Sequence, residues 1–113
     1  MKKEEIKDGI LYLLQRTSPI GDGMGWTFLE IREFLKINNV EGYFEETKES
    51  WKKLKDLLKE MEEEGLIEER HFGEVLSGRV DFSIEQKGIN WIEKRRKELK
   101  NKGIRLENKW KLI

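Results

Sequence analysis

Lys48, Lys52, Lys55 and Lys59 recur at intervals of four, three and four residues. On an α-helix that spacing aligns four ammonium groups on one face, where they can meet a row of phosphates. Lys53 flanks the row, and Glu49 or Ser50 beside it could hydrogen-bond base edges in a major groove. Further on, Arg70, His71 and Arg79 flank a glycine-containing turn. There they could straddle a phosphate or enter a minor groove. Each pattern also has a plainer reading. A charge run is usually a solvated helix face, Arg70 can pair with Glu68 or Asp81, and His71 can be an ordinary exposed imidazole.

Nothing else in the chain points at chemistry. With no cysteine there is no disulfide, no thiolate metal site and no cysteine nucleophile. The single histidine has no serine, cysteine or metal-ligand constellation around it in sequence, so neither a catalytic role nor a metal site is expected. Gly21, Gly23 and Gly25 follow no strand and precede no Lys-Ser/Thr pair, which predicts a mobile turn and not a phosphate cradle. Carboxylates are too abundant for any one pair to stand out as an acid–base dyad. The chain therefore reads as a binding protein without a cofactor, not as an enzyme.

The elements that must carry these residues follow from periodicity. Ile6, Ile10, Leu11, Leu13 and Leu14 predict a first helix over 3–16 with one apolar stripe, ended by Thr17-Ser18-Pro19. Trp26-Thr27-Phe28 suits a short strand. Thr27 and Glu30 form a capping-box pair that starts a second helix over 28–37, closed by Asn38-Asn39. Tyr43 and Phe44 are expected to tuck the connection 40–46 onto the core. A third helix, 47–64, turns Trp51, Leu54, Leu57, Leu58 and Met61 inward and the lysine row outward. Its acidic end, Glu60 and Glu62 to Glu64, opposes the helix dipole and has no local explanation. Val80, Phe82 and Ile84 alternate with Arg79, Asp81 and Ser83 as in a half-buried strand, paired with residues 66–70 across a turn at 71–78. Ser83 and Gln86 form a second capping-box pair for a helix reaching Lys102, with Gly103 as its stop. Ile89, Ile92 and Leu99 supply its inner stripe. Residues 104–113 predict a strand or a docked tail.

Helix, short strand, helix, helix, two-stranded hairpin, long helix is the order of a winged helix-turn-helix domain. Leu57-Leu58-Lys59-Glu60-Met61-Glu62-Glu63-Glu64-Gly65-Leu66-Ile67 resembles the approach to the wing in PadR-like and MarR-like regulators. Val80-Asp81-Phe82-Ser83-Ile84-Glu85-Gln86-Lys87-Gly88 is similar to the exit from that wing. The resemblance covers roughly residues 4–100. It implies an α+β, mostly helical fold, with a winged-helix domain over 1–103 and a tail over 104–113. It also implies a DNA-binding transcription regulator with the third helix in the major groove of double-stranded DNA. Such families are mostly homodimers joined through their terminal helices, which assigns Trp91, Arg95, Leu99 and Trp110 to a dimer contact, with the core as the alternative place for Trp91. Trp51 is expected in the core, and Trp26 in the core or as a lid. A small-molecule effector is not legible.

At 113 residues the chain suits one domain, and 41% charged against 36% hydrophobic residues leaves few apolar side chains to place. Formal net charge is zero, which weakens a nucleic-acid reading and favours the alternative of a winged-helix module that binds protein. The neutrality hides a segregation. Residues 94–111 hold nine bases against Glu98 and Glu107, a surplus of seven positive charges balanced by residues 1–93. That stretch could meet phosphates, complement a helix dipole or face an acidic partner surface. Met1-Lys2-Lys3-Glu4-Glu5 lacks the apolar run of a secretory signal, and no segment has membrane-spanning length, so a cytoplasmic protein with no membrane partner is expected. Heavy Lys/Glu usage with few glutamines resembles a thermophile's surface, against which the single proline counts.

Overall fold

The computed structural model describes residues 1–21, 23–76 and 78–112. It runs α1 (Lys3–Leu14), α2 (Phe28–Ile37), α3 (Lys48–Glu63), β1 (Ile67–His71), β2 (Val80–Ile84), α4 (Gln86–Asn101) and α5 (Leu106–Lys109), with a 3-10 turn, Gly73–Leu76, between the strands. The expected α+β class holds. Asp22 of the glycine loop, Ser77 of the hairpin turn and Ile113 of the tail lie outside the described residues.

α1 is the axis of the molecule. Every residue from Ile6 to Leu14 is buried, because α2, β2 and α4 pack around it. The single apolar stripe expected for this helix is therefore too little. Its polar positions are buried as ion pairs: Lys7 lies 2.8 Å from Glu60 and 2.7 Å from Glu64, and Asp8 lies 2.9 Å from Arg95. These contacts give Glu60 and Glu64 at the acidic end of α3 a partner in Lys7, while Glu62 accepts from the Glu69 amide.

The helix starts follow local chemistry. Thr27 and Glu30 make both halves of the capping box, and Thr47 caps α3 by accepting from the Ser50 amide. Asn39 closes α2 in left-handed geometry, with φ of 53°. The Ser83–Gln86 box does not form. Ser83 is held inside β2 opposite Glu68, and the cap position falls to Glu85, whose amide donates to the Leu66 carbonyl.

β1 and β2 pair antiparallel, with Ile67 opposite Ile84 and His71 opposite Val80. The short strand expected at Trp26 is reduced to one bridge, Trp26 and Phe82 exchanging both backbone hydrogen bonds. Burial along β2 does not alternate, because Asp81 is as buried as Phe82. The stretch ending in Gly25 lies over that face so closely that a Cβ on Gly25 would sit 2.2 Å from the Phe82 carbonyl oxygen. Asp81 accepts from the Gly25 amide at 2.8 Å, while Arg70 and Arg79 donate to the carbonyls of Gly23 and Gly25. The expected mobile turn is thus pinned to the sheet along 23–25.

α4 fully buries only Gly88 and Ile92 and stops at Gly103. The tail is docked as a helical turn, not a strand. Trp110 is 2% exposed, stacks on Phe34 at 5.6 Å between centroids and lies against Gly9, while the Asn38 amide brackets the backbone of Lys111. Among the described residues no helix is long and apolar enough to cross a membrane.

Candidate nucleic-acid interface

α3 is amphipathic, and its core stripe of Leu54, Leu57, Leu58 and Met61 turns the opposite face to solvent. Lys48, Lys52, Lys55 and Lys59 are all exposed on that face. Lys52 pairs with Asp56 one turn on, at 2.9 Å. Lys55 reaches back over the Phe28 ring, its ammonium 6.0 Å from the centroid. Glu49 is exposed beside the row. Lys53 is exposed too, but its ammonium sits 4.8 Å from the Tyr43 ring, on the flank away from the row.

Ser50 is not available to a base edge. It is 6% exposed, and its hydroxyl donates to Glu45 at 2.9 Å. Position 50 falls on the inner side of the helix, where the 40–46 connection covers it. The Glu45 carboxyl also accepts from the Gly42 amide, which holds it below the ordinary glutamate value.

The hairpin stands beside this face. Phe28, Leu58, Val80 and Phe82 floor a groove of about 600 Å³ between α3 and the sheet, with Lys55 and Lys59 at its rim. The two hairpin arginines are turned to internal use. Arg70 pairs with Asp81 at 2.9 Å, and Arg79 is 11% exposed beside Asp81 and the Gly25 carbonyl. Asp81 is wholly buried with both guanidiniums against it, and each also fastens the loop by donating to one of its carbonyls. Of the three, His71 alone projects freely, with its side chain 67% exposed and Nε2 3.7 Å from Glu69.

The four residues assigned to a dimer contact are used within the chain. Trp91 is half-buried and donates its indole N–H to Asp8 at 2.8 Å. Arg95 lies between Asp8 and Glu98, and Leu99 packs on the core. Trp110 is enclosed by α1 and α2 and presents no surface to a partner, because the tail folds back and does not extend. Of the basic stretch, Arg95, Arg96 and Lys109 find carboxylates, on Asp8, Glu107 and Glu5.

The residue that periodicity misplaces is Trp51. It is 36% exposed, not in the core, and stands where the lysine face meets the groove. Its neighbour Leu29 is 57% exposed. The signal was present in the sequence: the core stripe of α3 is complete without Trp51, which lies at its edge, next to Lys52. Among the described residues no three His, Cys, Asp or Glu side chains converge as a metal site requires. No family model, curated protein or solved structure matches this chain.

Proposed function

We propose that the protein is a winged helix-turn-helix DNA-binding transcription regulator that sets α3 in the major groove, with the β1–β2 hairpin on the flanking backbone. The carrying observation is the exposed row Lys48, Lys52, Lys55 and Lys59 beside a register-paired hairpin. The element order supports the same reading, with the Trp26–Phe82 bridge in the place of the short first strand. In this reading the lysines position the duplex through phosphates, Glu49 is the side chain free to meet base edges, and His71 is the free wing-side contact. A homodimer would present two such faces about one DNA turn, roughly 34 Å, apart.

The test is a double charge reversal, Lys52→Glu with Lys55→Glu. Both side chains are solvent-exposed, so the far-ultraviolet circular dichroism spectrum stays as it was while the mobility shift on target DNA disappears. A shift that survives at moderate salt removes this face from the proposal.

A second reading, a protein-interaction module without DNA affinity, draws on the apolar groove and on exposed Leu29 and Trp51 beside it. It predicts no salt-sensitive shift on any duplex, even at low ionic strength.

A further inference from the structure

Trp51 is the largest side chain that the core leaves out. It separates two hollows on the surface of α3. One, of about 690 Å³, is edged by Lys48, Lys52 and Lys55; the other, of about 600 Å³, is floored by Phe28, Val80 and Phe82. Two neighbours hold the ring. Phe28 packs on it with centroids 5.1 Å apart and planes at 44°, and the Arg32 guanidinium lies 5.5 Å from its centroid. Arg32 is itself fixed, donating to the Phe44 carbonyl at 2.8 Å and to Glu46 at 3.1 Å. An indole so oriented loses little freedom when a flat group settles on it.

We infer that Trp51 is a stacking platform for a DNA base that has left its duplex stack, so that this face prefers a duplex with a bubble to a fully paired one. The inference rests on the proposal that the α3 face binds DNA. In a paired duplex both faces of every base are covered by neighbours, and an indole has nothing to stack on. An unpaired base offers its face without the unstacking penalty. A base seated on Trp51 brings its phosphates towards Lys48 and Lys55, one turn either side on the same helix. The two carboxylates at the lysine-edged hollow, Glu46 and Asp56, are already paired with Arg32 and Lys52, which leaves Lys48 and Lys55 uncompensated there, whereas Glu62 and Glu69 offset Lys55 and Lys59 along the other hollow. The lysine-edged side of the ring is thus net cationic. An apolar peptide helix would use the groove floor but gain nothing from this cationic side, which is why a nucleotide suits the ring better.

The experiment measures affinity by fluorescence anisotropy for a fully paired duplex and for the same duplex carrying a short central thymine bubble. Wild type, Trp51→Leu and Trp51→Phe are compared, each with its circular dichroism spectrum as a control for folding. Wild type should bind the bubbled duplex about ten-fold more tightly than the paired one. Trp51→Leu should bring the two together, and Trp51→Phe, which keeps an aromatic face, should restore most of the difference. Indole emission of the wild type should be quenched more by the bubbled duplex, and Trp51→Phe should lose that excess. Equal affinity of wild type for the two duplexes, or a preference that survives Trp51→Leu, overturns the platform and leaves the DNA-binding proposal standing. Binding to neither overturns both.

Discussion

Lys7 shows what a single residue contributes when the fold encloses it. Its side chain is 3% exposed among Glu4, Glu60 and Glu64. Burial pulls its ammonium down, but the hydrogen bonds to Glu60 and Glu64 outweigh that and hold it above the ordinary lysine value. Glu60 responds in the opposite sense, held below 4.5 by its hydrogen bonds to Lys7 and Lys3. A raised lysine stabilises at pH below its free value and loses that contribution as pH rises through its folded one. A lowered glutamate stabilises above 4.5 and loses its contribution as pH falls. The cluster therefore helps at neutral pH and fails in acid. Lys7→Met should cost about 1–2 kcal/mol near neutrality, less than a fully enclosed pair because the two main glutamates are partly solvated. It should also make urea midpoints fall less steeply on acidification than in wild type; an unchanged acid limb would separate Glu60 from Lys7. Asp8 runs the other way. Burial raises its carboxyl above 3.8 despite Trp91 and Arg95, so the folded state binds that proton more tightly than the unfolded chain. Its contribution falls as pH rises from 3.8 through the raised value. The stability of wild type relative to Asp8→Asn should decline over that window, and a flat difference would count against a buried carboxylate here.

At the scale of elements, the tail is held by a close approach and not by a strand. Trp110 lies so near α1 that a Cβ on Gly9 would come within 2.6 Å of its ring. Gly9→Ala must push the indole or the helix away, at about 1–3 kcal/mol for an overfilled site. The expected signature is local as well as global: red-shifted tryptophan emission and faster tryptic cleavage after Arg105. Retention of both wild-type emission and cleavage rate would mean that the tail re-docks elsewhere. Helix boundaries were legible because caps are local. Thr27, Glu30 and Asn39 act within a few residues of themselves. The capping pair at Ser83 and Gln86 misled because strand pairing with Glu68 is not local and claims Ser83 first. Trp51 misled for a related reason, since it lies at the margin of its stripe, and whether a margin is covered depends on which element packs there.

At the scale of the molecule, charge is redistributed by folding. Glu5 and Asp8 of α1 lie against Lys109 and Arg95, so part of the basic surplus in 94–111 is cancelled within the chain. The lysine row of α3 keeps its exposure, with Lys52 partly neutralised by Asp56. If α3 alone meets the backbone, about three phosphates are neutralised and log K should fall with log salt at a slope of about −3. A slope near zero would remove phosphate contact altogether, and one near −6 would bring the α4 lysines into the interface. The sequence by itself determined the order of elements, most of their limits and which face of α3 carries lysine, because periodicity and capping are properties of neighbouring residues. Only the tertiary structure decided that α1 is enclosed on all sides, that Arg70 and Arg79 fasten a loop over buried Asp81, that Trp110 fills the core and that Trp51 does not. Those outcomes depend on partners distant along the chain, Gly23 for Arg70, Gly25 for Arg79, Gly9 for Trp110 and Phe28 for Trp51. A residue's type sets what it can pair with, and packing sets which partner reaches it first.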